Sequence, residues 1–221
     1  MAPLRRVFLI DDHPLVRLGL SDLIESIGGL EVCGEASGAE EALPLIDRAR
    51  PHLVILDLSL PGASGLDLIK SLAQRHPSVP LLVLSMHDES LYAQRALAAG
   101  AKGYVMKTAG ESALEEAIRR VLGGGISLSP SMTNRMLTRM ARGAEATASP
   151  IELLSDRELE VFERIGQGHT TREIARLLHL SIKTVETYRA NIKSKLAIDT
   201  TSRLAQQAVI WSERRSLNLA S

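Results

Sequence analysis

The sequence predicts a doubly wound α/β domain built on a five-stranded parallel sheet, followed by a small all-α domain of four helices. Five short apolar runs alternate with helix-period segments through residue 122, which is the pattern of repeated βα units. The strands are apolar throughout rather than alternating with polar residues, which indicates a sheet covered by helices on both faces. From Leu154 onward only helical periodicity remains.

Each predicted strand of the first domain is bounded by turn residues or by an amphipathic segment. The strands are VFLI (7–10), LEVCGEA (30–36), HLVILDL (52–58), PLLVLSM (80–86) and KGYVMK (102–107). The helical segments between them begin at Pro14, Ser37, Ser64, Glu89 and Gly110. Ser37 and Glu40 have the spacing of a capping box, and Pro44 predicts a kink within the same helix.

The second half of the chain begins with a break of three glycines at 123–125. We predict a first domain over 5–122, a linker over 123–150 with a possible short helix at 131–140, and a second domain over 151–213. The linker ends in GAEATASP, a run of small residues closed by proline. The second domain is predicted to hold helices at 155–165, 170–178, 181–196 and 200–212.

Composition narrows the class of protein. With 45% hydrophobic and 24% charged residues and no apolar run of 18 residues, the sequence is typical of neither a disordered nor a membrane-spanning chain. A single cysteine, Cys33, fits a reducing compartment, and we expect a cytoplasmic protein without a membrane partner. Residues 1–125 hold 12 Lys and Arg against 16 Asp and Glu, whereas 126–221 hold 14 against 10. Within residues 171–203 there are seven basic side chains and three acidic ones, which is a modest rather than a strong signal of a polyanion partner.

The polar residues that follow the predicted strands belong at one edge of the sheet. They are Asp11 and Asp12 after the first strand, Asp57 at the third, Ser85 at the fourth and Lys107 at the fifth. In a parallel sheet, ligands bind outside the carboxyl ends of the strands. Three carboxylates there repel each other, and a hard cation such as Mg²⁺ relieves the repulsion. A lysine and a hydroxyl at the same place suit a phosphoryl group.

This constellation resembles the receiver domain of two-component response regulators, a flavodoxin-like fold. The resemblance covers about residues 5–122 and depends on IDDHP, DLSLPGASG, the hydroxyl of LSM, and GYVMK. It implies that Asp57 is the phosphoacceptor and attacks a phosphohistidine on a sensor histidine kinase. It also implies that Asp12, Asp57 and the backbone carbonyl of Ser59 bind Mg²⁺, with Asp11 acting through water.

The same resemblance assigns the remaining residues of the site. Lys107 would pair with a phosphoryl oxygen, and Ser85 would donate to another. Tyr104 would be the switch residue, an aromatic side chain that changes rotamer on phosphorylation. From their positions alone, His13 and His87 are predicted to be exposed loop residues rather than ligands, although His87 lies where it could tune hydrolysis of the phosphoaspartate.

In the second domain, a short helix, a tight turn and a longer basic helix predict a helix-turn-helix. Val185, Ile192 and Leu196 form one stripe of the longer helix, which must face the core. The opposite face is polar, basic and small enough to enter a major groove. A four-helix interaction module with a solvated basic face remains the alternative.

Residues 150–212 resemble the LuxR-type helix-turn-helix, and the two domains together resemble the NarL/FixJ class of response regulators. The resemblance implies that Glu186, Thr187 and Ala190 face bases, while Lys183 and Thr184 approach phosphates. Tyr188 stands where the family often has histidine. The predicted DNA-binding residues are Lys183, Thr184, Glu186, Thr187, Tyr188, Ala190, Asn191 and Lys195.

We therefore expect a transcriptional response regulator switched by Mg²⁺-dependent phosphorylation of Asp57. Its expected partners are a sensor histidine kinase, double-stranded DNA, and a second copy of the chain on phosphorylation or on DNA. The alternative is a receiver protein that signals through protein contacts or without phosphorylation. An enzyme is not expected, because phosphatases with an Asp nucleophile need a second Asp two residues later, where this chain has Ser59.

Overall fold

The computed structural model describes residues 4–61, 64–142 and 150–219. The chain divides into two compact units, Met1–Gly143 and Ala144–Ser221, and each is considered by itself. Within the described ranges, no helix combines the length and the apolar character needed to cross a membrane.

The first unit is a five-stranded, all-parallel sheet with helices between successive strands, which confirms the predicted α/β fold. The strands are β1 (Arg5–Ile10), β2 (Leu30–Ala36), β3 (Leu53–Leu56), β4 (Leu81–Ser85) and β5 (Gly103–Met106). The helices are α1 (Pro14–Ser26), α2 (Ala39–Ala49), α3 (Gly65–Arg75), α4 (Glu89–Ala99), α5 (Glu111–Leu122) and α6 (Pro130–Arg142). The strand order is β2-β1-β3-β4-β5.

Helices cover both faces of the sheet. On one face, α1 and α5 pack against alternate strand residues, and Ile24 and Ile118 lie in the same fully buried cluster as Val7 and Leu82. On the other, α2, α3 and α4 pack side by side. Because the strands are buried on both faces, they are apolar throughout, as the sequence predicted.

The start of α2 differs from the predicted capping box. The N-cap is Gly38, which makes no side-chain cap, and the helix begins at Ala39. It is Glu41, not Glu40, that folds back, accepting hydrogen bonds from both the backbone N–H and the hydroxyl of Ser37 at 2.8 Å. The predicted pair was therefore wrong by one residue. Helix α2 continues through Pro44 to Ala49.

The chain beyond α5 returns to the edge of the sheet. Ser127 forms a single parallel bridge with Gly103, accepting from the backbone N–H of Tyr104 at 2.9 Å and donating to the carbonyl of Lys102 at 3.0 Å. Helix α6 then packs on α4 through the buried side chain of Met132. Residues 126–142 thus pack on the first unit, and GAEATASP lies outside the described residues except for Pro150.

The second unit is a helical bundle preceded by one 3₁₀ turn, Pro150–Leu153. Its helices are α7 (Asp156–Gly166), α8 (Thr171–Leu177), α9 (Ile182–Lys195) and α10 (Thr201–Leu219). The core is formed by Phe162, Ile174, Val185 and Leu204, all buried. Capping boxes begin α7 and α8, and each satisfies two backbone N–H groups that the first turn leaves unpaired.

Candidate phosphoacceptor site and DNA interface

The sheet order brings the predicted acidic residues together. Strands β1 and β3 are neighbours, so the residues after Ile10 and Leu56 meet at the carboxyl edge, where the strand order reverses. The backbone N–H of Asp57 donates to the carbonyl of Ile10 at 2.9 Å, and that of Asp11 donates to Ala36 at 3.1 Å. These ladder bonds fix both carboxylates at the end of the sheet.

Lys107 links two of these carboxylates. Its Nζ lies 2.6 Å from Asp11 Oδ2 and 2.7 Å from Asp57 Oδ2. The side chains of Lys107, Asp11 and Asp57 are only 12%, 3% and 2% exposed. Burial acts to lower the pKa of Lys107, but the hydrogen bonds and charges of Asp11 and Asp57 outweigh it and hold that pKa above its usual range. The lysine therefore stays charged between the two carboxylates.

The other oxygen of Asp57 accepts two hydrogen bonds. The hydroxyl of Ser85 donates to Asp57 Oδ1 at 2.7 Å, and the backbone N–H of Ser59 donates to the same oxygen at 3.1 Å. Ser85 and Asp57 are both buried. The structure thus brings Asp57, Ser59, Ser85, Lys107 and Asp11 into one cluster of direct contacts.

Tyr104, the predicted switch residue, lies inside the protein. Its hydroxyl donates to the backbone carbonyl of His87 at 2.8 Å, and its side chain is fully buried. The His87 ring lies 4.5 Å from the Tyr92 ring, and its Nε2 lies 3.1 Å from the Ser59 hydroxyl. His87 is half-buried and is held against the site, so the prediction of an exposed loop residue was wrong for His87.

Asp12 has a different environment from Asp11. Its Oδ1 is buried yet has no hydrogen-bond partner among the described residues. Ligand atoms of Asp11, Asp12 and His13 all lie within 4.8 Å of one another. Asp12 Oδ1 also forms an ion pair at 2.6 Å with Nδ1 of the largely exposed His13 when that ring is protonated. Two adjacent carboxylates, one with an oxygen that accepts no hydrogen bond, fit a divalent cation with oxygen ligands.

Helix α9 presents most of the predicted DNA-binding residues to solvent. Val185 and Ile192 are buried and Leu196 is half-buried, so the predicted core stripe faces inward. The exposed residues of the predicted set are Lys183, Glu186, Thr187, Ala190, Asn191 and Lys195, while Thr184 and Tyr188 are half-buried.

Two threonine hydroxyls on α9 are bonded within the helix. Ser181 caps the helix by accepting from the backbone N–H of Thr184 at 3.0 Å, and the two hydroxyls lie 2.7 Å apart. The Thr187 hydroxyl donates to the carbonyl of Lys183 at 3.0 Å. The hydroxyl of Thr187 is thus engaged by its own helix, which leaves its methyl group as the free contact.

Lys195 has a partner that the sequence did not reveal. Its Nζ donates to Glu158 Oε2 at 2.6 Å, and the same oxygen accepts from the backbone N–H of Ser155 at 2.7 Å. Burial acts to raise the pKa of Glu158, but the hydrogen bonds from Lys195 and Ser155 outweigh it and lower that pKa. Lys195 therefore joins the end of α9 to the start of α7, and no sequence spacing predicted a bridge between residues so far apart.

Each of the two units matches a known protein family. The family model described as the response regulator receiver domain matches residues 7–119, and the model described as bacterial regulatory proteins of the luxR family matches residues 152–208. The transcriptional activator protein ExaE of Pseudomonas putida is 38% identical over 204 residues, covering 92% of this chain and 95% of that protein.

Further matches also extend over both units. The oxygen regulatory protein NreC of Staphylococcus carnosus is 34% identical over 209 residues, covering 92% of this chain and 96% of its own. The structure of RcsB from Salmonella enterica serovar Typhimurium, bound to the promoter rprA in the presence of phosphomimetic BeF3-, is 26% identical with a TM-score of 0.64, covering 92% of this chain and 97% of that one. The chain therefore belongs to the NarL/FixJ class of two-component response regulators, which join a receiver domain to a LuxR-type helix-turn-helix domain.

Proposed function

We propose that this protein is a cytoplasmic transcriptional response regulator switched by Mg²⁺-dependent phosphorylation of Asp57 by a sensor histidine kinase. The observation that carries the proposal is the contact of Lys107 with both Asp11 and Asp57 at the carboxyl edge of the sheet. A buried carboxylate nucleophile beside a positively charged lysine held in a fixed position is an arrangement suited to phosphoryl transfer to oxygen. The protein would act as a switch rather than as an enzyme.

The transfer step would use one oxygen of Asp57 as the nucleophile. A P–O bond forms to Asp57 as the P–N bond of the donor phosphohistidine breaks, and the histidine leaves. Lys107 contacts Oδ2 at 2.7 Å and can remain beside a phosphoryl oxygen. Asp12, Asp57 and the backbone carbonyl of Ser59 would hold Mg²⁺, with Asp11 acting through water. The cation would neutralise charge that develops on the phosphoryl oxygens.

The switch would depend on Ser85 and Tyr104. Ser85 already donates to Asp57 Oδ1, so its hydroxyl can pass to a phosphoryl oxygen without leaving the site. Tyr104 is bonded to the carbonyl of His87, which lies two residues after Ser85. A movement of Ser85 would therefore reach Tyr104 through the loop between β4 and α4. Two packed arrangements of this loop would provide the bistable element that a phosphorylation switch needs.

The output would be binding of α9 to the major groove of double-stranded DNA. The exposed, basic face of α9 supports this, as does the presence of DNA in the related RcsB structure. Glu186, Thr187 and Ala190 would face bases, and Lys183 and Thr184 would approach phosphates, with Tyr188, Asn191 and Lys195 at the edges. A single unit of this size makes few contacts, so we expect a homodimer on paired half-sites.

A phosphorylation assay that compares the wild type with Asp57→Asn tests the proposal. Wild-type protein should take up one phosphoryl group per chain from a radiolabelled small phosphodonor, only when Mg²⁺ is present. Asp57→Asn keeps the shape of the side chain but removes the nucleophile, so it should take up none. Asp67→Asn, an exposed carboxylate on α3, is the matched control and should label like the wild type. Stoichiometric labelling of Asp57→Asn would refute the assignment.

A further inference from the structure

A cleft of about 560 Å³ opens at the amino edge of the receiver sheet, on the side opposite to Asp57. This amino-edge cleft lies where β1, β3, β4 and β5 begin and where α3, α4 and α5 end. Much of its wall is apolar and is contributed by Pro51, Val79, Pro80, Val121 and Leu122. Its volume is in the range of sites for small organic ligands, roughly 300 to 1,000 Å³.

The ionisable side chains that line the amino-edge cleft are all basic. Arg5 begins β1, His52 precedes β3 and Lys102 precedes β5. None of the described residues around the cleft is an aspartate or a glutamate. All three basic side chains are exposed, and Lys102 has no side-chain partner within the described part of the chain. The charge of the cleft therefore suits an anion.

Two of these side chains are held in place by backbone groups. His52 Nδ1 accepts a hydrogen bond from the backbone N–H of Arg6 at 2.9 Å, so the neutral ring carries its proton on Nε2 and can donate it. Arg5 Nη1 donates to the backbone carbonyl of Leu122 at 2.9 Å, which uses one of the several N–H donors of the guanidinium. Donors that are fixed in this way lose little conformational freedom when a ligand binds.

The helices that end beside the cleft do not explain all of its basic residues. A helix C-terminus carries a partial negative charge, and a basic side chain is stabilising there. Arg5 serves this role in part, through its bond to Leu122 at the end of α5. The last turns of α3, α4 and α5 also accept backbone N–H groups from their own C-cap residues, His76, Gly100 and Gly123. The anchored ring of His52 and the unpaired ammonium of Lys102 are left without a structural role.

We propose that the amino-edge cleft binds an organic phosphate of about the size of a mononucleotide. Arg5 and His52 begin neighbouring strands, and the phosphate would lie between them, where a guanidinium and an imidazole N–H both donate to its oxygens. Lys102 lies at the other end, since β1 and β5 are three strand spacings apart, about 14 Å. Inorganic phosphate cannot span this distance, whereas a ligand with a further acceptor at its far end can.

The apolar wall would hold the body of the ligand. A flat, largely apolar ring can lie against Pro51, Val79 and Pro80, which removes apolar surface of both partners from water. Binding would thus need both the phosphate and the body. Because the cleft is at the opposite edge of the sheet from Asp57, this site is separate from the phosphoacceptor site and does not depend on the proposed function.

Titration of full-length protein with three probes tests the proposal. The probes are adenosine monophosphate, adenosine and inorganic phosphate, each added without Mg²⁺ and followed through the backbone amide signals in NMR spectra. Adenosine monophosphate should bind at least about fivefold more tightly than either other probe. The signals of His52, Ser78 and Lys102 should shift, and those of Asp57 and Lys107 should not.

Variants of the basic residues assign the two ends of the site. Arg5→Gln and His52→Asn should each weaken adenosine monophosphate and inorganic phosphate by at least about fivefold. Asparagine at position 52 can still accept from the Arg6 N–H but lacks the Nε2 donor. Lys102→Met should weaken adenosine monophosphate by a similar factor and leave inorganic phosphate within about twofold. Lys70→Met removes a half-exposed lysine on α3 that does not line the cleft, and it should bind all probes like the wild type.

Four outcomes would overturn the proposal. Adenosine monophosphate that binds no more tightly than adenosine would exclude a phosphate site. Binding that is unchanged in all three cleft variants would place the probe elsewhere, as would shifts confined to Asp57 and Lys107. An equal loss in Lys70→Met and Lys102→Met would mean that general surface charge attracts the probe. None of these results bears on the labelling of Asp57, so the two proposals can fail independently.

Discussion

The hydroxyl of Ser85 donates to Oδ1 of Asp57 at 2.7 Å, and both side chains are buried. This bond connects β4 to β3 across the site before any phosphoryl group is present. A phosphoryl group on Asp57 would offer stronger, charged acceptors to the same hydroxyl. In the proposed switch, the contribution of Ser85 would therefore be the difference between these two hydrogen bonds, and not the whole strength of one.

Ser85→Ala should separate phosphorylation from its consequence. The variant keeps Asp57 and Lys107, so it should still label in the presence of Mg²⁺. The gain in DNA affinity on phosphorylation, typically about 5- to 150-fold for coupled sites, should fall close to 1. Ser85→Thr keeps the hydroxyl and should retain the gain. DNA-binding curves with and without a phosphodonor measure this gain in both variants. A gain in Ser85→Ala as large as that of the wild type would contradict the role given to the hydroxyl.

Lys107→Met should destabilise the receiver, because Asp11 and Asp57 would be left buried without a cation. The free energy of unfolding should fall by about 3 to 5 kcal/mol, and Mg²⁺ should restore more of it than it adds to the wild type. Urea unfolding with and without Mg²⁺ measures this. Lys102→Met, which changes an exposed lysine, should be nearly neutral. An equal loss of unfolding free energy in both variants would contradict the claim that Lys107 stabilises the buried carboxylates of Asp11 and Asp57.

The pKa of Lys107 also sets a pH dependence. Its folded value is raised, so its contribution to stability is complete below the unfolded value of about 10.4 and is lost as pH rises through the higher folded value. Wild-type receiver should lose stability in this alkaline range, and Lys107→Met should lose less. Unfolding free energies measured from pH 8 to pH 11 test the difference.

Glu158→Gln should weaken the helical unit, because the hydrogen bonds from Lys195 and the Ser155 backbone N–H lose their charged acceptor. We expect a cost of about 2 kcal/mol in the free energy of unfolding. The pKa of Glu158 is lowered in the folded state, so its contribution is present above the ordinary carboxyl pKa and is lost as pH falls through the folded value. Thermal unfolding from pH 7 to pH 3 should show less acid sensitivity in Glu158→Gln.

Lys195→Ala distinguishes a structural role from a DNA contact. If the bond to Glu158 is its main role, the variant should lower stability more than Lys193→Ala does, and should leave the salt dependence of DNA binding nearly unchanged. A slope that drops by about 1 instead would identify Lys195 as a phosphate contact.

Lys183 and Thr187 should affect DNA binding in different ways. Lys183→Ala should weaken binding to all sequences and reduce the salt slope by about 1, because one phosphate contact is lost. Thr187→Ser keeps the hydroxyl that bonds to the Lys183 carbonyl and removes only the methyl group. It should change sequence preference, since a methyl group recognises thymine by apolar contact. The same uniform loss from both substitutions would contradict these roles.

The strands could be predicted from their continuous apolar runs. The residues that meet at the carboxyl edge could be predicted because they directly follow those runs in the sequence. Apolar runs at 7–10 and 52–58 become neighbouring strands, which brings Asp11 and Asp57 to one edge. The cap of α2 was not predictable to the residue. Glu40 and Glu41 both follow Ser37 closely; the helix begins at Ala39 after an extended Gly38, and it is Glu41 that folds back onto Ser37.

Long-range side-chain contacts were the part that sequence did not reveal. Lys195 lies on the exposed, basic helix that DNA binding requires, so a periodicity argument places it toward DNA. Its partner Glu158 is 37 residues away and is brought near only by the packing of α7 on α9. His13 was expected to be an exposed loop residue, and it is largely exposed, but exposure does not show where its ring nitrogen lies.

The chain returns to the sheet at Ser127 and covers part of an edge strand through which the protein could otherwise aggregate. An edge strand exposes unpaired backbone groups that can pair with another chain. Here Ser127 occupies backbone groups of Lys102 and Tyr104 on the outer side of β5. At the opposite edge, β2 carries Glu31 and Glu35 and an irregular register, both of which hinder pairing with a neighbouring strand. A receiver fragment ended at residue 122 would uncover β5 and should self-associate more readily than one that continues through 142.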